Sequence, residues 1–176
     1  VPHPRVLGAV GMKLLVISKY KITSAIRHQL ALIPSDPLTQ QFNLKRAILE
    51  THLPVENGKD FVVMDTHLEA FAQGSDTMEK QVQQTKTLLD SISNQCNPWI
   101  LGGDFNLLAP GKQYSQLDAL QKKYFKENSE LESFFNDYNS VPGLSEINGD
   151  NGDKWITHFP NDPEVKQPDR TIDYIF

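Results

Sequence analysis

The sequence predicts an α/β fold, a layered β-sandwich flanked by helices. Three observations carry that expectation: strand-length apolar runs bounded by turn residues, one long amphipathic helix between them, and reactive polar residues gathered where strands end. The chain has 176 residues, of which 39% are hydrophobic and 22% charged. That suits one compact domain with a substantial core.

Gly11 to Tyr20 (GMKLLVISKY) contains the unbroken run Leu14-Leu15-Val16-Ile17, which predicts a buried strand. Lys45 to Leu53 and Asp60 to Leu68 read as two further strands joined through Pro54-Val55-Glu56-Asn57-Gly58-Lys59. Asn-Gly tolerates positive φ at both positions, so this segment is a β-hairpin turn. A helix is expected over about Ser75 to Ile92, because Met78, Val82, Thr85, Leu89 and Ile92 recur at three- and four-residue steps. Ser75 or Asp76 can cap it, and Asp76 with Glu79 has capping-box spacing.

Pro98-Trp99-Ile100-Leu101 starts another short buried strand that runs into Gly102-Gly103-Asp104-Phe105-Asn106. Ser115 to Phe125 and Ser129 to Tyr138 read as two short helices. Leu117, Leu120 and Tyr124 face inward from the first, and Leu131, Phe134, Phe135 and Tyr138 from the second. Asn148 to Asp153 is a polar turn without the ligand spacing or closing Glu of an EF-hand. Pro160 to Pro168 reads as an irregular loop feeding a last strand that ends at Phe176. There is no internal repeat or low-complexity tract. Val1-Pro2-His3-Pro4-Arg5 lacks the layout of a signal peptide, and both ends read as cuts within a longer chain.

The formal net charge is −5, which disfavours a general coat for nucleic acid. It leaves room for an enzyme that meets phosphate through a bound cation. The single cysteine, Cys96, rules out an internal disulfide framework and a Cys-rich zinc site. No apolar run has the length of a bilayer-spanning helix. Neither oligomeric state nor compartment is legible.

Three segments carry residues suited to chemistry: Met64-Asp65-Thr66-His67-Leu68-Glu69, Leu101 to Asn106, and Arg170-Thr171-Ile172-Asp173-Tyr174-Ile175-Phe176. Glycines before Asp104 leave room near its carboxylate for a substrate or ion. If the chain stays extended, Asp104 and Asn106 point to one side, joining a carboxylate to an amide. Each segment also has a plain structural reading. Gly-Gly-Asp is a common turn, Asp173 can pair with Arg170, and His67 can be a satisfied buried histidine.

In this order and spacing, the segments resemble the endonuclease/exonuclease/phosphatase superfamily, which has a deoxyribonuclease I-like fold. Gly11 to Ile22 is similar to its strand ending in Ser-Lys/Arg-Tyr. Thr66-His67-Leu68 resembles its Thr-His-Leu element, Gly103-Asp104-Phe105-Asn106 its Gly-Asp-Phe-Asn element, and Ile172-Asp173-Tyr174 its late Ile-Asp-Tyr strand. The Gln81/Gln84 helix follows the histidine as in that superfamily. The resemblance covers about residues 10 to 176.

It implies that residues 1–176 are part of a single such domain, lacking its N-terminal strands and its C-terminal end. The implied activity is metal-dependent hydrolysis of phosphate esters, most readily phosphodiesters, by activated water, with Mg²⁺ or Mn²⁺ as cofactor. Asp104 would orient or deprotonate the water, and Asn106 would position phosphate. Both are implied metal contacts. His67 would donate to a phosphate oxygen, and Asp173 would support a second histidine. The substrate remains open among nucleic acid, phospholipid and sugar phosphate. The metal-binding Glu and the terminal Asp-His pair of the superfamily have no counterpart in this sequence. A non-catalytic binding or scaffold domain that keeps the fold is the alternative function.

Thr51-His52-Leu53 repeats the tripeptide around His67. With a turn centred between Asn57 and Gly58, His52 lies opposite Val63, on the order of 13 Å along the ladder from His67. Asp104, Asn106, His67 and Asp173 are therefore expected at one sheet edge, with His52 remote.

Overall fold

A computed structural model describes residues 12–70, 72, 74–158 and 168–176, which fall into two units, Val1–Ile100 and Leu101–Phe176. The first unit is built on an antiparallel meander of β1 (Ser24–Gln29), β2 (Ala47–Pro54) and β3 (Asp60–His67). Ser24 pairs with His52 across β1–β2, and Ile48 with Thr66 across β2–β3. The hairpin expected at Asn57-Gly58 forms around a 3₁₀ turn, Glu56–Gly58, in which Gly58 takes φ 74°. Along β3, burial alternates residue by residue: Val62, Met64 and Thr66 are buried, whereas Val63, Asp65 and His67 are half-buried. Period-two patterning thus fixes which residues point inward.

The long helix, α2 (Thr77–Asn94), buries Val82, Thr85, Leu89 and Ile92, four of the five residues of the stripe read from the sequence; the fifth, Met78, is half-buried. Its start differs from expectation. Asp76 occupies the N-cap position without a side-chain cap bond and pairs with Lys80 at 2.8 Å instead. Two glutamines on this helix tie it to the chain around it. Gln81 donates to the Ala31 carbonyl (2.6 Å) and accepts from the Glu69 amide (2.9 Å), while Gln84 accepts from the Ala31 amide (2.7 Å).

The strand expected over Gly11 to Tyr20 is corrected by the structure. Residues 12–18 form no regular element, and Leu15 and Ile17 are 70% and 85% exposed. An apolar run becomes a strand only when a neighbour takes up its backbone groups. Here the Leu15 amide donates to the Asp65 carboxylate at 3.2 Å, a side chain rather than a strand. Sequence reading also missed β1, whose Ser-Ala-Ile-Arg-His-Gln has little apolar alternation, and α1 (Pro37–Phe42), capped by Asp36 through the Leu38 and Thr39 amides.

The strand β4 (Trp99–Asp104) begins in the first unit, where the Val62 amide donates to the Pro98 carbonyl, and continues into the second. There it pairs antiparallel with β5 (Asp173–Ile175). Behind this pair lies an aromatic core. Phe105, Phe134, Phe135, Tyr174 and Phe176 meet mostly edge to face, with centroids 5.2 to 6.2 Å apart. That is the geometry favoured by ring quadrupoles.

Around it sit α3 (Gln113–Gln116), α4 (Glu132–Asp137) and α5 (Leu144–Ile147). The helix expected over Ser115 to Phe125 is broken. Asp118 accepts from the Leu120 and Gln121 amides (2.8 and 2.7 Å) and restarts the chain as a 3₁₀ turn. Consequently Leu117 is buried with Leu108 and Ile172, but Leu120 and Tyr124 are exposed. The polar turn at Asn148 leads into a 3₁₀ turn, Gly152–Trp155. Apart from Pro168, the loop expected at Pro160 to Pro168 lies outside the described residues.

Candidate functional site

β4 and β5 bring three of the four sequence-predicted residues together. Asp104 is the direct cross-strand partner of Asp173, so both carboxylates leave the same face of the pair. The adjacent pair, Gly103 and Tyr174, belongs to the opposite face, where Tyr174 enters the aromatic core. The Tyr174 hydroxyl donates to the Thr171 carbonyl at 2.7 Å. Burial drives its pKa far above the ordinary tyrosine value, and the charges of Asp173 and Asp104 push the same way. Like charges directly opposite each other on a sheet destabilise it. A cation or a hydrogen-bond donor at this face would relieve that repulsion.

Asn106 departs from the expected extended geometry. Its φ is 52°, and its amide donates to the Asp104 carboxylate at 2.9 Å, so the chain turns over that carboxylate as β4 ends. Left-handed backbone is a conformation asparagine adopts more readily than most residues. The backbone amide of Asn106 thus meets the Asp104 carboxylate through a turn, in place of the strand alternation expected to align the two side chains. On the other strand, the Ile172 and Asp173 amides both approach Thr157 Oγ1 at 3.2 Å.

Arg170 pairs with its neighbour Asp169 through both Nε and a terminal nitrogen, which settles its partner as Asp169 and not Asp173. Its guanidinium also lies 5.0 Å from the Phe125 ring centroid. His158 Nδ1 is 3.1 Å from the same Asp169, so this histidine belongs to the packing of the loop. Burial raises the Asp169 pKa, but the bonds from Arg170 and His158 outweigh it and hold the group below the usual carboxylate range.

His67 ends β3 in the first unit, on the half-buried face that also carries Asp65. Burial lifts the Asp65 carboxyl above its ordinary value, against the opposing bonds from the Leu15 and Thr66 amides. Beneath this strand end is a buried polar network that sequence reading missed. Arg46 reaches both Glu69 oxygens at 3.5 Å, Glu69 accepts from the Ala70 amide at 3.0 Å, and Gln81 holds the Glu69 amide. Only spacing from the Thr-His-Leu element could have pointed to Glu69, and nothing local pointed to Arg46.

Register fixes the face on which the second tripeptide lies. His52 lies opposite Val62, not Val63. That one-residue shift turns His52 to the face opposite His67. There it joins a chain of charges: His28 Nε2 to Glu50 (2.7 Å), His52 Nε2 to the other Glu50 oxygen (2.6 Å), and His52 Nδ1 to Asp60 (3.0 Å). Burial lowers the His52 pKa, but the bonds to Glu50 and Asp60 outweigh it and raise the group above its ordinary value. His52 is thus engaged by acidic side chains at the hairpin end of the sheet.

Among the described residues, no three His, Cys, Asp or Glu side chains stand together as a metal site. A carboxylate and a side-chain carbonyl are oxygen donors of the kind hard divalent cations prefer. Mg²⁺ commonly takes only one or two carboxylates, with water and substrate completing its shell. Asp104 and Asn106, the two implied metal contacts, fit such an ion as part of its ligands.

No protein-family profile and no curated protein matches the chain. Solved structures do. The human nocturnin catalytic domain with bound sulfate is 17% identical, with a TM-score of 0.49, over 88% of this chain and 47% of that one. An endonuclease/exonuclease/phosphatase from Beutenbergia cavernae is 20% identical, with a TM-score of 0.48, over 90% of this chain and 38% of that one. ANGEL2, a 2',3'-cyclic phosphatase, is 19% identical, with a TM-score of 0.38, over 55% of this chain and 28% of that one. The chain therefore spans less than half the length of each of these structures. Its similarity to the endonuclease/exonuclease/phosphatase superfamily is carried by its own elements, Thr66-His67-Leu68, Gly103-Asp104-Phe105-Asn106 and Ile172-Asp173-Tyr174.

Proposed function

We propose that the protein carrying this chain is a metal-dependent hydrolase of phosphate esters, most readily phosphodiesters. One observation supports this above the others. Asp104 and Asp173 face each other across β4–β5, with Asn106 turned back onto the Asp104 carboxylate. Carboxylates held opposite each other repel, and a cation beside Asp104 would offset that repulsion. Mg²⁺ or Mn²⁺ bound there would neutralise phosphate charge and the charge that develops on its oxygens in the transition state.

The resemblance implies a role for each of these side chains. Asp104 orients an attacking water and accepts its proton. The Asn106 amide positions a phosphate oxygen and shares the ion with Asp104. The His67 imidazole donates to a phosphate oxygen, and Asp173 holds a partner imidazole in its donor tautomer.

The test is Asp104→Asn in the full protein, assayed on a phosphodiester with Mg²⁺ or Mn²⁺. This change keeps the shape and removes the charge. Turnover falls by at least about a hundredfold while thermal unfolding is little changed. Chelator abolishes wild-type activity, and either ion restores it. A folded variant with near-normal turnover, or activity indifferent to chelator, would falsify the proposal.

A further inference from the structure

We infer that His52 is a pH-operated latch on the β2–β3 hairpin, closed onto Asp60 while its ring is protonated and released from Asp60 when the ring is neutral. The ground for it is geometric. Both ring nitrogens of His52 face carboxylate oxygens, Nε2 at 2.6 Å from Glu50 and Nδ1 at 3.0 Å from Asp60. An ionised carboxylate only accepts, and a neutral imidazole carries a single N–H. Both contacts are therefore hydrogen bonds in the imidazolium alone. Loss of one proton leaves a bare nitrogen against an anionic oxygen on one side.

Burial decides which side opens. The Glu50 side chain is 6% exposed and that of Asp60 is 38% exposed. Water can take over the bonds of Asp60 but not those of Glu50, and a buried carboxylate stripped of a donor is the more costly. The neutral ring keeps its proton on Nε2, toward Glu50, and lets Asp60 go. On the other oxygen of Glu50, His28 Nε2 at 2.7 Å needs one N–H, which either charge state of that ring can supply. The edge strand β1 thus stays tied to β2 while the start of β3 is released.

The cluster is self-contained. On this face β1 carries Ser24 and Ile26 beside His28, opposite His52 and Glu50, and β3 carries Val62 and Met64 beyond Asp60. Among the described residues of these three strands, no further charged side chain shares the face. Lys59, next to Asp60, donates to the Cys96 carbonyl at 3.1 Å. Burial lowers the His52 pKa, and the two carboxylates outweigh it, so the latch opens as pH rises through a value above the ordinary 6.5.

The experiment follows the full protein by NMR and hydrogen exchange as pH is raised from below 6.5. At the low end both His52 nitrogens carry protons. At the high end Nδ1 is bare and Nε2 keeps its proton. Across the same step, protection falls by roughly three- to tenfold at the Val55 amide, as expected for loss of one partly exposed charge-assisted bond. That amide closes the turn on the Lys59 carbonyl at 3.0 Å. The amides of β1 change less. Asp60→Asn removes the step, because its side-chain amide accepts from Nδ1–H and donates to a bare Nδ1 equally well. His28→Gln keeps the step.

A neutral His52 ring with its proton on Nδ1 overturns the latch, since the release would then fall at Glu50. So does protection at Val55 that shows no step or falls in equal measure with β1, and so does an Asp60→Asn protein that retains the step. The NMR reading needs no variant, so a substitution that disturbs folding leaves the test in place. No part of it depends on turnover, and the latch and the hydrolase reading fail separately.

Discussion

Residues 1–100 hold 10 Lys and Arg against 9 Asp and Glu, a net of +1, whereas residues 101–176 hold 7 against 13, a net of −6. The acidity of the chain is therefore confined to the second unit, which carries Asp104 and Asp173. In the first unit, Lys13, Arg27, Lys45 and Arg46 line a cavity at His67. The two units also support their strand ends by different means. β3 ends above a buried Arg46–Glu69 pair tied to Gln81, and β5 is backed by a cluster of aromatic rings. An overall net charge averages over this division, and an argument about anionic ligands has to be made unit by unit.

The division can be broken most directly at Phe134, which is fully buried against Phe105, Tyr138 and Phe176. Phe134→Ala removes a ring from the centre of that core and lowers stability by about 3–5 kcal/mol. Hydrogen exchange resolved by segment should show protection lost first in β5 and α4. Equal loss in β1 and β2 would mean that the two units do not respond separately.

Arg46→Ala probes the polar counterpart. It leaves Glu69 buried without its cation, a change that costs about 3 kcal/mol. The bonds are long, so the lower end of the usual range is expected. Arg46→Ala combined with Glu69→Gln recovers part of the loss in chemical denaturation. No recovery would show that the pair contributes through packing alone.

The two histidines sharpen the contrast within the first unit. In the full protein, His67→Ala lowers phosphodiester turnover by roughly a hundredfold. His52→Ala, which alters the opposite face of the sheet, stays within about twofold. A reversal of these two results would exchange their roles.

The smallest expected effect is the pH dependence at His52. Its folded pKa lies above the ordinary 6.5, because its bonds to Glu50 and Asp60 outweigh burial. A raised folded pKa means that its contribution to stability is fully present below the unfolded value and is lost as pH rises through the folded one. His28, on the other oxygen of Glu50, and Asp60 complete the charges in this cluster. The stability difference between wild type and His52→Ala therefore narrows as pH is raised from below 6.5 into the alkaline range. Denaturant midpoints measured across that range should converge, and a gap that widened would contradict the raised pKa.

By itself, the sequence determined the elements whose pattern is local. The alternation of β3, the stripe of α2 and the inward rings of α4 are set by spacing and stand close to where that patterning put them, while the turn expected at Asn57-Gly58 forms there with its register moved by one residue. It also marked Asp104, Asn106 and Asp173, because residues two apart or at a strand end can be read from a short motif. Tertiary structure alone decided the relations between distant residues. It set the register that pairs His52 with Val62, gave Arg170 to Asp169, denied residues 12–18 a strand partner, and collected Lys13, Arg27, Lys45 and Arg46 around one cavity. The reason is physical. Local patterning specifies which face of an element is apolar, but strand register, ion pairing and pocket lining depend on which partner the folded chain brings alongside, and a shift of one residue reverses the face a side chain presents.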